Sequence, residues 1–233
     1  MTNWWIVTSA LATSGAFTQV EKFHQTVLTL TSILKKSSNN KIIFLEGSNH
    51  EIVGAHRRTI ASIVDQYCEY WHQTEFQNLF LSPNRERQNL KSSMETYLLH
   101  NMCHYYLTNL VQPSDRVFKL SGRYKLNDQF SLHTHEMQKN KWCFAPASYG
   151  ASIGYDRPGQ LSTRLYSFCG SQIADAARIF KEVYDTILQE HERGSWTDIE
   201  HTMFNLIPPE KRVHANVIGV EGNFSKCGGW IQE

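Results

Sequence analysis

The sequence lacks a field. Its 23 Lys and Arg against 22 Asp and Glu leave a formal charge of +1, too little to draw nucleic acid or an acidic membrane over a broad surface. It has five cysteines, an odd number with no Cys-x-x-Cys pair, which argues against a disulfide framework and for reduced thiols in a cytoplasmic protein. No apolar run reaches the roughly 18 residues of a membrane-spanning helix, so no transmembrane segment is expected. Trp4 to Phe17 imitates a secretion signal, but no Lys or Arg precedes it, and Thr8, Ser9, Thr13 and Ser14 interrupt it. A first core strand and its loop explain it better. Internal repeats, low-complexity tracts and a linker are also missing, which leaves one domain over 1–222 and a flexible tail over 223–233.

What is present is alternation. Trp4-Trp5-Ile6-Val7-Thr8 reads as a buried strand. Phe17 to Leu34 reads as a helix whose stripe is Val20, Phe23, Val27, Leu30 and Leu34, with Lys35 and Lys36 at the end that favours cations. Lys41 to Glu46 is a second strand, so a parallel βαβ unit opens the chain. Residues 50–75 look helical, Leu79 to Leu81 a short strand, and Arg87 to Leu110 a long helix. A central strand follows over 117–126, then strands at Trp142 to Phe144 and Arg164 to Phe168. Helices are expected from Ile173 to Leu188 and from Trp196 to Leu206, the latter capped by Ser195 or Thr197. A last strand covers 214–220.

The central strand carries the oddest stretch, Ser121-Gly122-Arg123-Tyr124. A glycine in a strand pattern marks a bulge or a close approach to the backbone. The arginine after it offers a planar fork of donors suited to phosphate or carboxylate. His133-x-His135-Glu136 has spacing compatible with metal ligands on a strand, but no third ligand is placed with it, and no metal site is expected.

The order of pieces resembles the nucleotide-diphospho-sugar transferases of the GT-A fold. The likeness runs over about residues 3–222, through the strand ending Thr8-Ser9-Ala10, the helix from Phe23 to Ile33 and the strand ending Phe44-Leu45-Glu46. It continues through Lys91-Ser92 on the long helix, the Phe118 to Leu126 strand, Ser162-Thr163-Arg164 and Asp198-Ile199-Glu200. It implies an α/β, single-domain, GT-A-like (Rossmann-like) sandwich with a central mixed, mostly parallel sheet flanked by helices. It also implies a glycosyltransferase moving a sugar from a nucleotide-sugar donor to a glycan or small-molecule acceptor, as in polysaccharide biosynthesis. The alternative is a non-catalytic nucleotide- or sugar-binding module of the same fold. Members of this fold usually end the central strand in Asp-x-Asp, which holds a divalent metal on the donor diphosphate. This chain has no Asp-x-Asp anywhere. The resemblance then implies a metal-independent enzyme without a cofactor, in which Arg123 and Tyr124 neutralise the leaving phosphate.

Carried over residue by residue, the resemblance assigns nucleotide-sugar binding to Thr8, Ser9, Ala10, Glu46, Lys91, Ser121, Gly122, Tyr124 and Arg164. Glu46 would meet ribose hydroxyls or a base N–H, and Lys91 the phosphates. Arg164, a charge in an apolar run, binds phosphate or a sugar carboxylate, or pairs with an acid. Arg123, with Asp198 or Glu200 as the base that deprotonates the acceptor, would be catalytic.

Overall fold

The computed structural model describes residues 1–13, 16–36, 38–81, 90–148, 159–223 and 229–233. β1 (Asn3–Ser9), α1 (Gln19–Lys36) and β2 (Asn40–Glu46) form the opening βαβ unit, with β1 and β2 parallel and paired from Asn3–Asn40 to Ser9–Glu46. α2 (Gly54–Ala61), β3 (Gln66–Glu69), α3 (Thr74–Leu81) and α4 (Leu90–Asn101) follow, then β4 (Arg116–Ser121) and β5 (Lys125–Leu126). After the short α5 (Leu132–Glu136) come β6 (Trp142–Phe144), β7 (Leu165–Cys169), α6 (Ile173–Glu192) and α7 (Ile199–Leu206). β8 (Arg212–His214), β9 (Val220–Asn223) and β10 (Trp230–Gln232) complete the chain.

Seven strands form the main sheet in the order β3-β2-β1-β4-β7-β6-β8. β7 runs against both its neighbours and every other pairing is parallel, so the sheet is mixed and mostly parallel. A three-stranded sheet, β10-β9-β5, sits beside it. Alternation along β1 and β4 sends successive side chains to opposite layers. Trp5 and Phe118 stack at 4.2 Å among the residues under α1 and α2. Ile6 and Tyr166 join Leu98 and Phe180 under α4 and α6. Helices therefore cover both faces, as parallel strands require.

α1 departs from its sequence pattern. Val20, Leu28 and Leu34 are exposed, while Thr26 and Thr29 are fully buried. Beside the buried Leu30 and Ile33, this face carries a ladder of hydroxyls: Thr26 donates to Gly122 O (3.2 Å), Thr29 to Tyr124 O (2.8 Å), and Ser32 Oγ accepts from Leu126 N (2.9 Å). The segment from Gly122 to Leu126 leaves one sheet for the other and has backbone groups to satisfy, so it takes the polar side of the helix.

Other expectations are corrected. Residues 50–75 hold α2 and the edge strand β3, whose half-buried Gln-Tyr-Cys-Glu lacks an apolar run; Leu79 to Leu81 end a helix. The long helix runs from Leu90, passes through a π turn (Met102–Tyr106) and ends in a 3-10 turn (Leu107–Asn109); Arg87 lies outside the described residues. The central strand is two strands in two sheets, β4 and β5. The strand read at 214–220 is instead mostly the connection between β8, which ends at His214, and β9, which starts at Val220, and the helix placed at Trp196 starts at Ile199. The tail does not hang free, because Trp230–Gln232 pairs with β9.

Candidate functional site

Parallel strands end together, and β1, β2 and β4 end at one place. Thr8 is level with both Leu45 and Ser121, Ser9 is level with Glu46, and Gly122 N donates to Thr8 O at 2.8 Å. Open α/β sheets bind ligands at such carboxyl ends. Thr8, Ser9, Glu46, Ser121 and Gly122 are thus brought together. A Cβ on Gly122 would come within 3.2 Å of Ser9 Cβ and Thr8 O and 3.3 Å of Thr26 Oγ1. The glycine serves the close approach of β1 and α1, not of a ligand.

Four cations converge here. Arg123 follows β4, half-buried, and among the described residues no carboxylate pairs with it; its guanidinium lies 6.0 Å from the Tyr124 ring centre. Lys91, on the first turn of α4, has no hydrogen bond or ion pair among the described residues. Its ammonium is pushed below the usual lysine range by the protein packed around it and by Arg123, although the residue as a whole remains open to solvent. Lys22 is buried on α1 and donates to Ala10 O (3.2 Å) and Thr13 O (2.6 Å), which fixes the turn after β1. Burial and then Arg123 lower its pKa too. Lys119 is the fourth, fully buried beneath Ser121 and paired with Glu95 of α4.

Two acids have raised pKa values. Burial pushes Glu46 up to about 7, against hydrogen bonds from Ser48 and from Leu11 N at 3.0 Å. Its Oε2 is buried with no partner among the described residues. Glu200 lies on the first turn of α7, half-buried, and accepts from Thr163 Oγ1 at 2.7 Å. Burial, then the charge of Asp198, raises its pKa.

Asp198 is occupied. It is the N-cap of α7, with Oδ1 accepting from His201 N at 2.8 Å and bonded to His201 Nδ1 at 2.7 Å. Arg164 just precedes β7 and is ion-paired with Glu233, while lying 5.7 Å from the Tyr124 ring centre. His133 and His135 sit on α5, where residues two apart do not share a face. His135 is buried against Ser167 Oγ at 2.7 Å.

Sequence reasoning missed Lys22, Glu95, Lys119 and Thr163. Lys119 carried a signal, a charge inside Val117-Phe118-Lys119-Leu120, of the kind that singled out Arg164. Lys22 and Glu95 carried none, since charges on helices usually face water.

The sequence matches no family profile and no curated protein. Solved structures do match. LgtC, seen as an active-site variant, superposes with a TM-score of 0.52 at 11% identity, over 91% of this chain and 72% of that one. The mannosyltransferase Ktr4p from S. cerevisiae gives 0.50 at 9%, over 86% and 64%. Mouse xyloside xylosyltransferase 1 in its apo form gives 0.47 at 10%, over 92% and 84%. With LgtC and Ktr4p as fold neighbours and the sheet order above, the chain has a GT-A-like fold.

Proposed function

We propose that this protein is a glycosyltransferase that binds a nucleotide-sugar and uses side-chain cations, not a metal, to hold the donor diphosphate. The observation that carries this reading is that Arg123 and Lys91 lie near one another at the carboxyl ends of β1 and β4 with no ion-pair contact to an acid among the described residues, the charges of Glu95 and Glu200 offsetting the crowding at Lys91 only in part. Like charges crowd together at a cost, and the arrangement makes sense where an anion offsets it. The donor set does not suit a divalent metal. By the resemblance, Ser121-Gly122-Arg123 takes the place of the family's acidic pair; Lys22 and Lys91 lie near Arg123, and Lys119 donates to Ser121.

In this reading Arg123 forks onto the phosphate that leaves, whose oxygens gain charge as the glycosidic bond breaks, and Lys91 adds a point charge. The unpartnered Oε2 of Glu46 accepts from a base N–H or a ribose hydroxyl. Glu200, with a raised pKa and one oxygen bonded to Thr163, takes the proton of the acceptor hydroxyl. Asp198, used as a cap, orients the helix that carries Glu200. The test is a thermal-shift panel of UDP, GDP and CMP, followed by mass spectrometry of nucleotide-sugars incubated with the protein. Stabilisation with sugar release supports the enzyme. Stabilisation without turnover of any donor leaves a binding module, and no stabilisation refutes both.

A further inference from the structure

Lys119 stands in the middle of β4 with none of its surface exposed. An ammonium has three protons to donate and accepts nothing. These go to Ser121 Oγ (2.7 Å), Thr163 O (2.6 Å) and the carboxylate of Glu95. Glu95 Oε1 also takes the hydroxyl proton of Thr8, at 2.9 Å. Burial alone would raise the Glu95 pKa, but Lys119 and Thr8 more than offset it and hold the carboxyl ionised.

The bonding fixes two hydroxyls in opposite senses. Ser121 receives a proton from Lys119, so its own O–H must point to some other acceptor, and the described residues supply none. Thr8 gives its proton to a carboxylate that cannot give one back, so only lone pairs remain for a ligand. Thr8 and Ser121 are neighbours across β1 and β4 and share a face of the sheet.

We propose that the ion pair between the buried Lys119 and the half-buried Glu95 is a positioning device that sets the hydrogen-bond polarity of the site. It makes Ser121 a donor to a phosphoryl oxygen of a nucleoside diphosphate and Thr8 an acceptor for a hydroxyl of its sugar. This rests on the reading of the cleft as a nucleoside-diphosphate site. Neither Lys119 nor Glu95 touches the ligand; both act through the two hydroxyls.

Calorimetric affinities for UDP, GDP and their nucleosides test it, with melting temperatures measured on the same samples. Ser121→Ala removes a hydrogen bond to a charged group and is expected to weaken UDP and GDP roughly ten- to a hundredfold while leaving the nucleosides almost unchanged. Thr8→Val is expected to weaken diphosphate and nucleoside alike. The double variant Lys119→Met/Glu95→Leu removes both charges together, so neither stays buried alone, and such swaps commonly keep the fold. It is expected to melt near the wild type and to bind UDP as weakly as Ser121→Ala. Adding Ser121→Ala to it is expected to cost little more, because the hydroxyl is no longer held outward. Wild-type affinity in the double variant, an equal Ser121→Ala penalty in both backgrounds, or equal loss of UDP and uridine in Ser121→Ala would each overturn the proposal. If the double variant does not fold, the single-variant comparison of diphosphate with nucleoside decides alone. A wild type that binds none of these compounds overturns the functional reading and this inference together.

Discussion

Replacing Arg123 with alanine separates structure from chemistry. A buried arginine paired with an acid would, on removal, leave a lone charge and cost about 3–5 kcal/mol. In a chain of this size each kcal/mol moves the melting temperature by roughly 2–4 °C, so that case predicts a fall of about 6–20 °C. Neither acid within reach in sequence or space is its partner. Asp128 is exposed, 3.6 Å from Lys36, and Glu46 is bonded to Ser48 and Leu11 N. Arg123 instead disfavours the charged forms of Lys22 and Lys91, so its removal relaxes them. Arg123→Ala is therefore expected to melt at or slightly above the wild-type temperature. If the guanidinium stabilises the departing diphosphate, the loss falls on the transition state, and kcat drops on the order of 10²–10³ with a smaller rise in KM. Arg123→Lys recovers part of the rate, because a point charge cannot reproduce the fork. The assay is donor turnover by mass spectrometry beside a melting curve on one sample. A melting temperature lower by 6 °C or more, with normal specific activity in the folded fraction, refutes the reasoning.

Glu46 makes stability depend on pH. Its pKa is about 7 in the fold against 4.5 as the ordinary value, so between these the folded state keeps a proton that the unfolded chain has released. Stability then falls as pH rises through that window, by up to ~3 kcal/mol at about 1.4 kcal/mol per unit, and Glu46→Gln is expected to flatten the slope in urea melts. Equal slopes in both proteins refute this. Glu200→Gln is expected to lower kcat with little change in donor KM, measured by initial rates; unchanged kcat removes Glu200 from proton transfer. Turnover is expected to survive EDTA, and loss restored by Mn²⁺ contradicts the cation-only reading.

The βαβ opening was legible because β-branched and aromatic runs bracketed a helix with a clear polar stop in the sequence at residues 37–40. The carboxyl-end cluster was legible for the same reason: once three strands are parallel, Thr8, Glu46 and Ser121 must lie close. β3 was hidden because Gln66 to Glu69 is an edge strand that buries too little to need an apolar pattern. Asp198 and Glu200 are two positions apart and chemically alike, so only the cap geometry tells them apart. The Lys119–Glu95 pair joins a strand to a helix before it in the chain, a contact that spacing does not encode.

Outside its core residues Leu30 and Ile33, the hydroxyl face of α1 reverses the usual map of tolerance along an amphipathic helix. Ordinarily the apolar residues resist substitution and the polar ones accept it. Here Val20, Leu28 and Leu34 stand in water, where serine or glutamine would fit. Thr26, Thr29 and Ser32 hold the backbone on either side of Arg123 from nearly a hundred positions away in the chain. A library built on hydropathy alone would randomise the residues that aim the arginine and protect those that do nothing for it. Valine in place of Thr29, close to it in size, would leave Tyr124 O without its threonine donor and let the arginine swing.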